Sequence, residues 1–132
     1  MILLDTHTLL WLDWDDPTLG RAARTLIHDA ENDGLVAASA VTFWESTLLW
    51  RKQRIALRLD PSAWREELIE AGLVELVLDG GIAVAAARLD LHKDPADRFI
   101  VATALAYDAT LVTADERLLG WAGPLKRKDA RT

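Results

Sequence analysis

The chain contains no cysteine, which excludes a disulfide framework, a thiol nucleophile and a thiolate zinc site. No apolar run approaches the roughly 20 residues that cross a bilayer as a helix, so no membrane partner is expected. The opening MILLDTHTLLWLDWDD has no basic n-region and carries an acid at Asp5; no signal peptide is read, and a cytoplasmic location is expected. No internal repeat or low-complexity segment is present. Basic surplus is lacking too: 15 Lys and Arg stand against 21 Asp and Glu, a net charge of −6. What is present suits one packed unit. With 132 residues, 51% of them hydrophobic and 27% charged, a single domain spanning 1–132 with a sizeable core is expected.

Net acidity argues against a nucleic-acid binder, because phosphate contacts need Lys and Arg. The argument weakens if acids are gathered in one place. Reserving four of the 21 acids for a single site leaves 17 against 15 bases, which is close to neutral. The bases are also uneven. Arg51, Lys52, Arg54 and Arg58 follow one another without an acid, and Lys126, Arg127, Lys128 and Arg131 close the chain. Residues from about 124 to 132 read as a loose basic tail.

Short apolar strands alternate with helical patterns. Strands are expected at 2–4, 35–38, 73–78 and 110–113. Helices are expected at 6–14, from Asp16-Pro17 to about 31, 40–53, 61–71, 82–89, 95–107 and 115–119, with Asp-Pro pairs as start signals. Such alternation implies an α/β fold whose mainly parallel sheet is covered on both faces. Functional crevices in such sheets lie beyond the carboxyl ends of the strands, where the strand order switches. Asp5 directly follows the first strand, and Asp115 follows the Thr110–Thr113 strand by two residues.

Glu45 is the most informative acid. Val41, Leu48 and Leu49 lie four before, three after and four after it, so it projects from an apolar helical stripe. A lone buried carboxylate costs several kcal/mol unless a cation or hydrogen bonds compensate. Pairing with Arg51 is the plainer alternative. Asp97 shares a face with Ile100, Val101 and Ala104, although an acid at a helix start also suits the dipole. Asp94 reads as the N-cap before Pro95. Asp5 admits a capping role, whereas Thr113 and Glu116 fit a capping box that leaves Asp115 free. Two carboxylates about 4 Å apart repel by roughly 4 kcal/mol at an effective dielectric near 20. Four of them converge only around a cation, and an all-oxygen donor set points to Mg²⁺ or Mn²⁺ and phosphoryl-ester chemistry.

These residues bring a family into view. The segments I-L-L-D-T-H-T-L-L-W (2–11), F-W-E (43–45), H-K-D-P-A-D-R-F-I-V-A-T-A (92–104) and L-V-T-A-D (111–115) make the chain resemble a PIN-domain ribonuclease of the VapC toxin type over nearly its whole length. The resemblance implies a three-layer α/β/α sandwich, a PIN-like fold. It assigns Asp5, Glu45, Asp97 and Asp115 to the acidic, metal-holding catalytic positions and Thr113 to the hydroxyl position that orients them; Asp94 and Thr6 are further candidates to orient the site. It also implies Mg²⁺ or Mn²⁺, an RNA substrate, a homodimer and a cognate antitoxin protein. Two positions depart from the pattern: Ala96, where a bulkier residue is frequent, and Glu116, an acid directly beside Asp115.

Arg51, Lys52, Arg54 and Arg98 are candidates to contact RNA, with an ion pair to Asp94 the alternative for Arg98. Of six tryptophans, Trp11, Trp44 and Trp50 sit in apolar helical patterns and are expected in packing; Trp14 and Trp64, in polar surroundings, are expected at a partner surface. His7 and His92 are expected near the site in structural or supporting roles. A competing reading makes the chain a non-catalytic partner-binding module whose acids only cap helices. A phosphatase or phospho-acceptor domain ranks last, because the first strand leads into Asp-Thr-His-Thr rather than Asp-x-Asp.

Overall fold

The computed structural model describes residues 1–132. Strands β1 (Ile2–Leu4), β2 (Val36–Ser39), β3 (Val74–Leu76), β4 (Thr110–Thr113) and β5 (Arg127–Asp129) form one sheet in the order β3-β2-β1-β4-β5, with every pairing parallel. Helices α1 (Thr6–Trp14), α2 (Arg21–Asn32), α3 (Ala40–Arg51), α4 (Pro61–Glu70), α5 (Gly80–Arg88), α6 (Pro95–Ala106) and α7 (Glu116–Leu119) connect and cover it.

The strand side chains explain the layering. Successive residues of a strand point to opposite faces. Ile2 and Leu4 therefore join Val36, Ala38 and Val112 in a core with α1, α2 and Trp64 of α4. Leu3, Ala37 and Leu111 face the other way, onto Val41 of α3 and onto Ala96, Ile100, Val101 and Ala104 of α6. Both faces of the sheet are buried at its centre, which is why β1, β2 and β4 read as largely apolar runs rather than alternating ones.

Short polar residues start most of the helices. Asp5, Ser39, Asp60, Asp79, Asp94 and Asp115 accept backbone N–H bonds at the starts of α1, α3, α4, α5, α6 and α7. Each such cap contributes about 1 kcal/mol. Helix α2 is the exception, and it corrects the expected start at Asp16-Pro17. Asp16 accepts only from Thr18 N in a local turn, and the helix begins four residues after Pro17, behind Gly20. There the backbone is held from outside: Gly20 N donates to Ala130 O and Ala22 N to Thr132 O.

The last nine residues are likewise not a loose tail. Leu125 and Ala130 are buried, and β5 pairs in register with β4 (Leu111 with Arg127, Thr113 with Asp129). Arg127 donates to the carbonyls of Leu118, Trp121, Gly123 and Leu125, tying down the loop before it. The charged composition of 126–129 suits an edge strand that must not pair further.

Two tryptophan expectations also change. Trp64 is fully buried: its Nε1 donates to Asp13 Oδ2 at 3.1 Å and its ring meets Phe43 edge-on. The polar residues beside it, Arg65, Glu66 and Glu67, leave α4 in other directions, while Leu68 one turn on packs against the same core. Trp44 and Trp50 are exposed, because α3 turns those positions away from the sheet. No helix is long and apolar enough to cross a membrane.

Candidate active site

In this strand order β1 is central, with β2 on one side and β4 on the other. The chain leaves β1 toward β2 and β3 and returns on the far side as β4, so the loops after β1 and β4 diverge. That divergence opens a crevice at the carboxyl end of the sheet. A cleft of about 280 Å³ lies there, and Asp5, Glu45, Asp94, Asp97 and Asp115 all line it.

Asp5 leaves β1 directly and is buried. Its two oxygens have different partners: Oδ1 accepts from Thr8 N at 2.9 Å, and Oδ2 from the Thr113 hydroxyl at 2.5 Å. Burial pushes its carboxyl above the ordinary range, against the pull of those hydrogen bonds. Thr8 Oγ1 in turn donates to Val112 O, fastening the start of α1 to β4. Thr6 is buried, lines the cleft and donates to the Thr42 hydroxyl on α3.

Asp97 lies in the first turn of α6. Asp94 Oδ1 accepts from Asp97 N, which leaves the Asp97 side chain free of capping. His92 Nε2 lies 2.7 Å from Asp97 Oδ2. Burial raises the Asp97 carboxyl to about 6; the His92 contact opposes this, and the charges of Asp94 and Asp115 add to it. Glu45 reaches the same cleft from the second turn of α3 and forms no ion pair with Arg51 or any other base.

Asp115 does cap α7, through Arg117 N at 2.8 Å, contrary to the expected Thr113–Glu116 box. Thr113 instead joins two acids, donating to Asp5 and accepting from Asp115 N at 3.1 Å. Burial works to raise Asp115, but the hydrogen bonds from the Arg117 side chain and backbone outweigh it and hold the carboxyl below its usual range. The Arg117 guanidinium lies 3.0 Å from Asp115 Oδ2 and 3.5 Å from Asp97 Oδ2. Glu116 is not among the residues lining the cleft.

All four acids expected from sequence therefore face one cleft. The expected RNA-contacting bases do not. Helix α3 starts at the carboxyl edge of the sheet and runs back along it, so Arg51 lies about 9 Å further along the axis than Glu45. Arg51, Lys52 and Arg54 are absent from the cleft lining, and Arg54 lies instead beside Trp14, Ile55 and Leu57. Arg98 neither faces the cleft nor pairs with Asp94. Its guanidinium donates to the carbonyls of Ala86, Leu89, Leu91 and His92, clamping the irregular loop between α5 and α6.

The bases that do line the cleft are Arg117 and Arg131, with His7 beside them. Sequence reasoning assigned neither arginine to the site. For Arg117 a signal existed, since a residue two after an N-capping acid lies in the same first turn. For Arg131 there was none.

The donor set suits a hard divalent cation. The acids offer oxygen only, no thiol is present, and a guanidinium already spans two of the carboxylates as a stand-in cation. Among these groups, atoms of His92, Asp97 and Asp115 all lie within 4.8 Å of one another.

A parallel α/β sandwich with an acidic cleft at its switch point is the architecture of a known group. The PIN domain family model matches residues 2–122, and the chain belongs to that family, in its VapC-type branch. It is 31% identical over 121 residues to Ribonuclease VapC22 of Mycobacterium tuberculosis (strain ATCC 25618 / H37Rv), covering 89% of this chain and 88% of that protein. Two solved structures share the fold. VapBC2 from Rickettsia felis bound to a promoter DNA fragment matches with a TM-score of 0.71 at 15% identity, covering 97% of this chain and 98% of the other. DNA-bound VapBC from Salmonella typhimurium matches with a TM-score of 0.69 at 20% identity, covering 97% and 96%.

Proposed function

We propose that the chain is a Mg²⁺- or Mn²⁺-dependent endoribonuclease and the toxin of a toxin–antitoxin pair. The observation that carries this reading is the meeting of Asp5, Glu45, Asp97 and Asp115, from four separate elements, at one cleft. Family membership and the ribonuclease relative support RNA as the substrate, and the VapBC complexes support an antitoxin partner.

Asp5, Glu45, Asp97 and Asp115 would hold the ion. When bound, the ion supplies an activated water and neutralises charge on the attacked phosphodiester. The chain's own residues prepare that place. Thr113 and Thr8 fix the Asp5 carboxylate from two sides. His92 and the Asp94 cap set the direction of Asp97. Glu45 from α3 and Asp97 from α6, helices packed on the same face of the sheet, supply carboxylates with no capping duty. Such fixed donors lose little freedom when the ion enters, which is the physical content of preorganisation. A homodimer and a cytoplasmic location belong to the same reading.

The helix-capping alternative has an observation in its favour, since Asp5, Asp94 and Asp115 all cap. Capping leaves Glu45 and Asp97 unexplained, and both line the cleft. The test is cleavage of RNA by the purified chain. Cleavage is expected with Mg²⁺ or Mn²⁺, and it is lost with chelator and in folded Asp5→Asn and Asp97→Asn proteins. Cleavage retained in both variants overturns the proposal.

A further inference from the structure

Resting on the ribonuclease reading, we infer that Arg131 is the residue that holds the RNA backbone at the mouth of the cleft, by direct contact with a phosphate. Five carboxylates line that cleft, and an RNA strand reaching them needs a positive group beside them. Only two arginines line it. Arg117 is engaged with Asp115 and Asp97. Arg131 has no carboxylate partner for its guanidinium: Nη1 donates to the carbonyl of Ala114 at 2.8 Å, and the group lies over the Trp11 ring, 5.7 Å from its centroid. A carbonyl and an indole orient a guanidinium without neutralising it. The residue remains exposed, so its other donors are open to solvent and to a ligand.

The position is built by the fold rather than left to a mobile side chain. Strand β5 carries the backbone past β4, and Ala130 N donates to Thr113 O, the residue that also fastens Asp5. On the far side Ala130 O accepts from Gly20 N. The base is thus set one residue away from Asp115, through Ala114, on a segment pinned at both faces. An arginine fork matches the paired oxygens of a phosphate, and a contact of this charge-assisted kind is worth about a factor of ten in affinity.

The experiment measures binding of a fluorescent single-stranded RNA of mixed sequence by anisotropy across a salt series. It uses protein carrying Asp97→Asn to prevent cleavage, with and without Arg131→Gln. Arg131→Gln is expected to raise Kd roughly tenfold and to lower the slope of log affinity against log salt by about 0.7, the share of one phosphate contact on a single strand. Arg131→Lys, which keeps the charge on the same docked backbone, is expected to keep the slope. An unchanged Kd and slope in the Gln protein overturns the inference, and so does a Lys protein whose slope falls like that of Gln. Either result alongside metal-dependent cleavage by the unaltered chain removes Arg131 alone; absence of RNA cleavage by the unaltered chain removes the ribonuclease reading itself.

Discussion

The guanidinium of Arg117 lies 3.0 Å from the carboxylate of Asp115, its own helix cap, and reaches on to Asp97. A base is therefore seated where two of the four site acids face each other. An entering divalent ion competes with it, and the guanidinium, being largely exposed, has room to swing out. Replacing Arg117 by Met is expected to tighten Mn²⁺ binding about two- to fivefold, the scale of an exposed ion pair. Isothermal titration calorimetry checks this; unchanged or weaker binding contradicts it.

The Asp97 carboxyl, raised to about 6 mainly by burial, gives the metal response a pH window. Because its folded value lies above the ordinary 3.8, the metal-free fold holds this proton more tightly than the unfolded chain does. This group's contribution to stability is thus present at low pH and is lost as pH rises through about 6. The ion demands the ionised form, so its effect has the opposite sign. The rise in Tm on adding Mg²⁺ is expected to be small at pH 5 and to grow toward pH 7.5. Thermal melts with and without Mg²⁺ across that range measure it, and Asp97→Asn is expected to reduce the pH dependence, leaving the part that Asp5 contributes.

Arg98 has changed from a substrate candidate to a clamp, and the two roles differ in what they predict. The carbonyls of Leu89, Leu91 and His92 in the α5–α6 connection, and that of Ala86 at the end of α5, lose the guanidinium when Arg98 becomes Met. The expected loss of stability is roughly 2–4 kcal/mol, from unmade bonds in a partly buried loop. Denaturant unfolding checks the magnitude. The salt slope of RNA binding is expected to stay the same, which a phosphate-contacting arginine would not allow.

Gly20 is a second point of leverage on the site, through the backbone it packs against. A Cβ there would collide with the backbone of Arg131 and Thr132, neither of which is the free end of a side chain. Gly20→Ala is expected to cost about 1–3 kcal/mol, as overpacking does, and to displace the segment that carries Arg131. Thermal melting reads the first effect, and weakened RNA binding reads the second.

Much of this architecture could be read from the residues because local and global signals agree. The central strands β1, β2 and β4 are short, largely apolar runs, the Asp-Pro pairs at 60–61 and 94–95 do open helices, and Asp5 and Asp115 do follow strands. Reading failed where an element depends on distant backbone. Asp16-Pro17 carries the same signal as the other two pairs, but α2 waits for Gly20 because the chain's last residues dock there. Strand β5 is made of Arg, Lys and Asp and has no apolar pattern of its own; pairing to β4 makes it a strand. For the same reason Arg131 was invisible as a site residue, and Arg98, beside Asp97 in sequence, was drawn into the site though its helix face turns it toward loop carbonyls. The placement of the four acids at one cleft was legible because each breaks a local expectation or ends a strand. The cations around them were not, since surface arginines break none.

In the proposed ribonuclease, four carboxylates from separate elements act on one ion. Mn²⁺ titration followed by electron paramagnetic resonance tests it most directly, on the unaltered chain and on folded Asp5→Asn, Glu45→Gln, Asp97→Asn and Asp115→Asn proteins. Each variant is expected to bind Mn²⁺ at least tenfold more weakly than the unaltered chain, on the order of what loss of one charged ligand costs. Mn²⁺ binding of full strength in the Asp5→Asn and Glu45→Gln proteins would contradict the account.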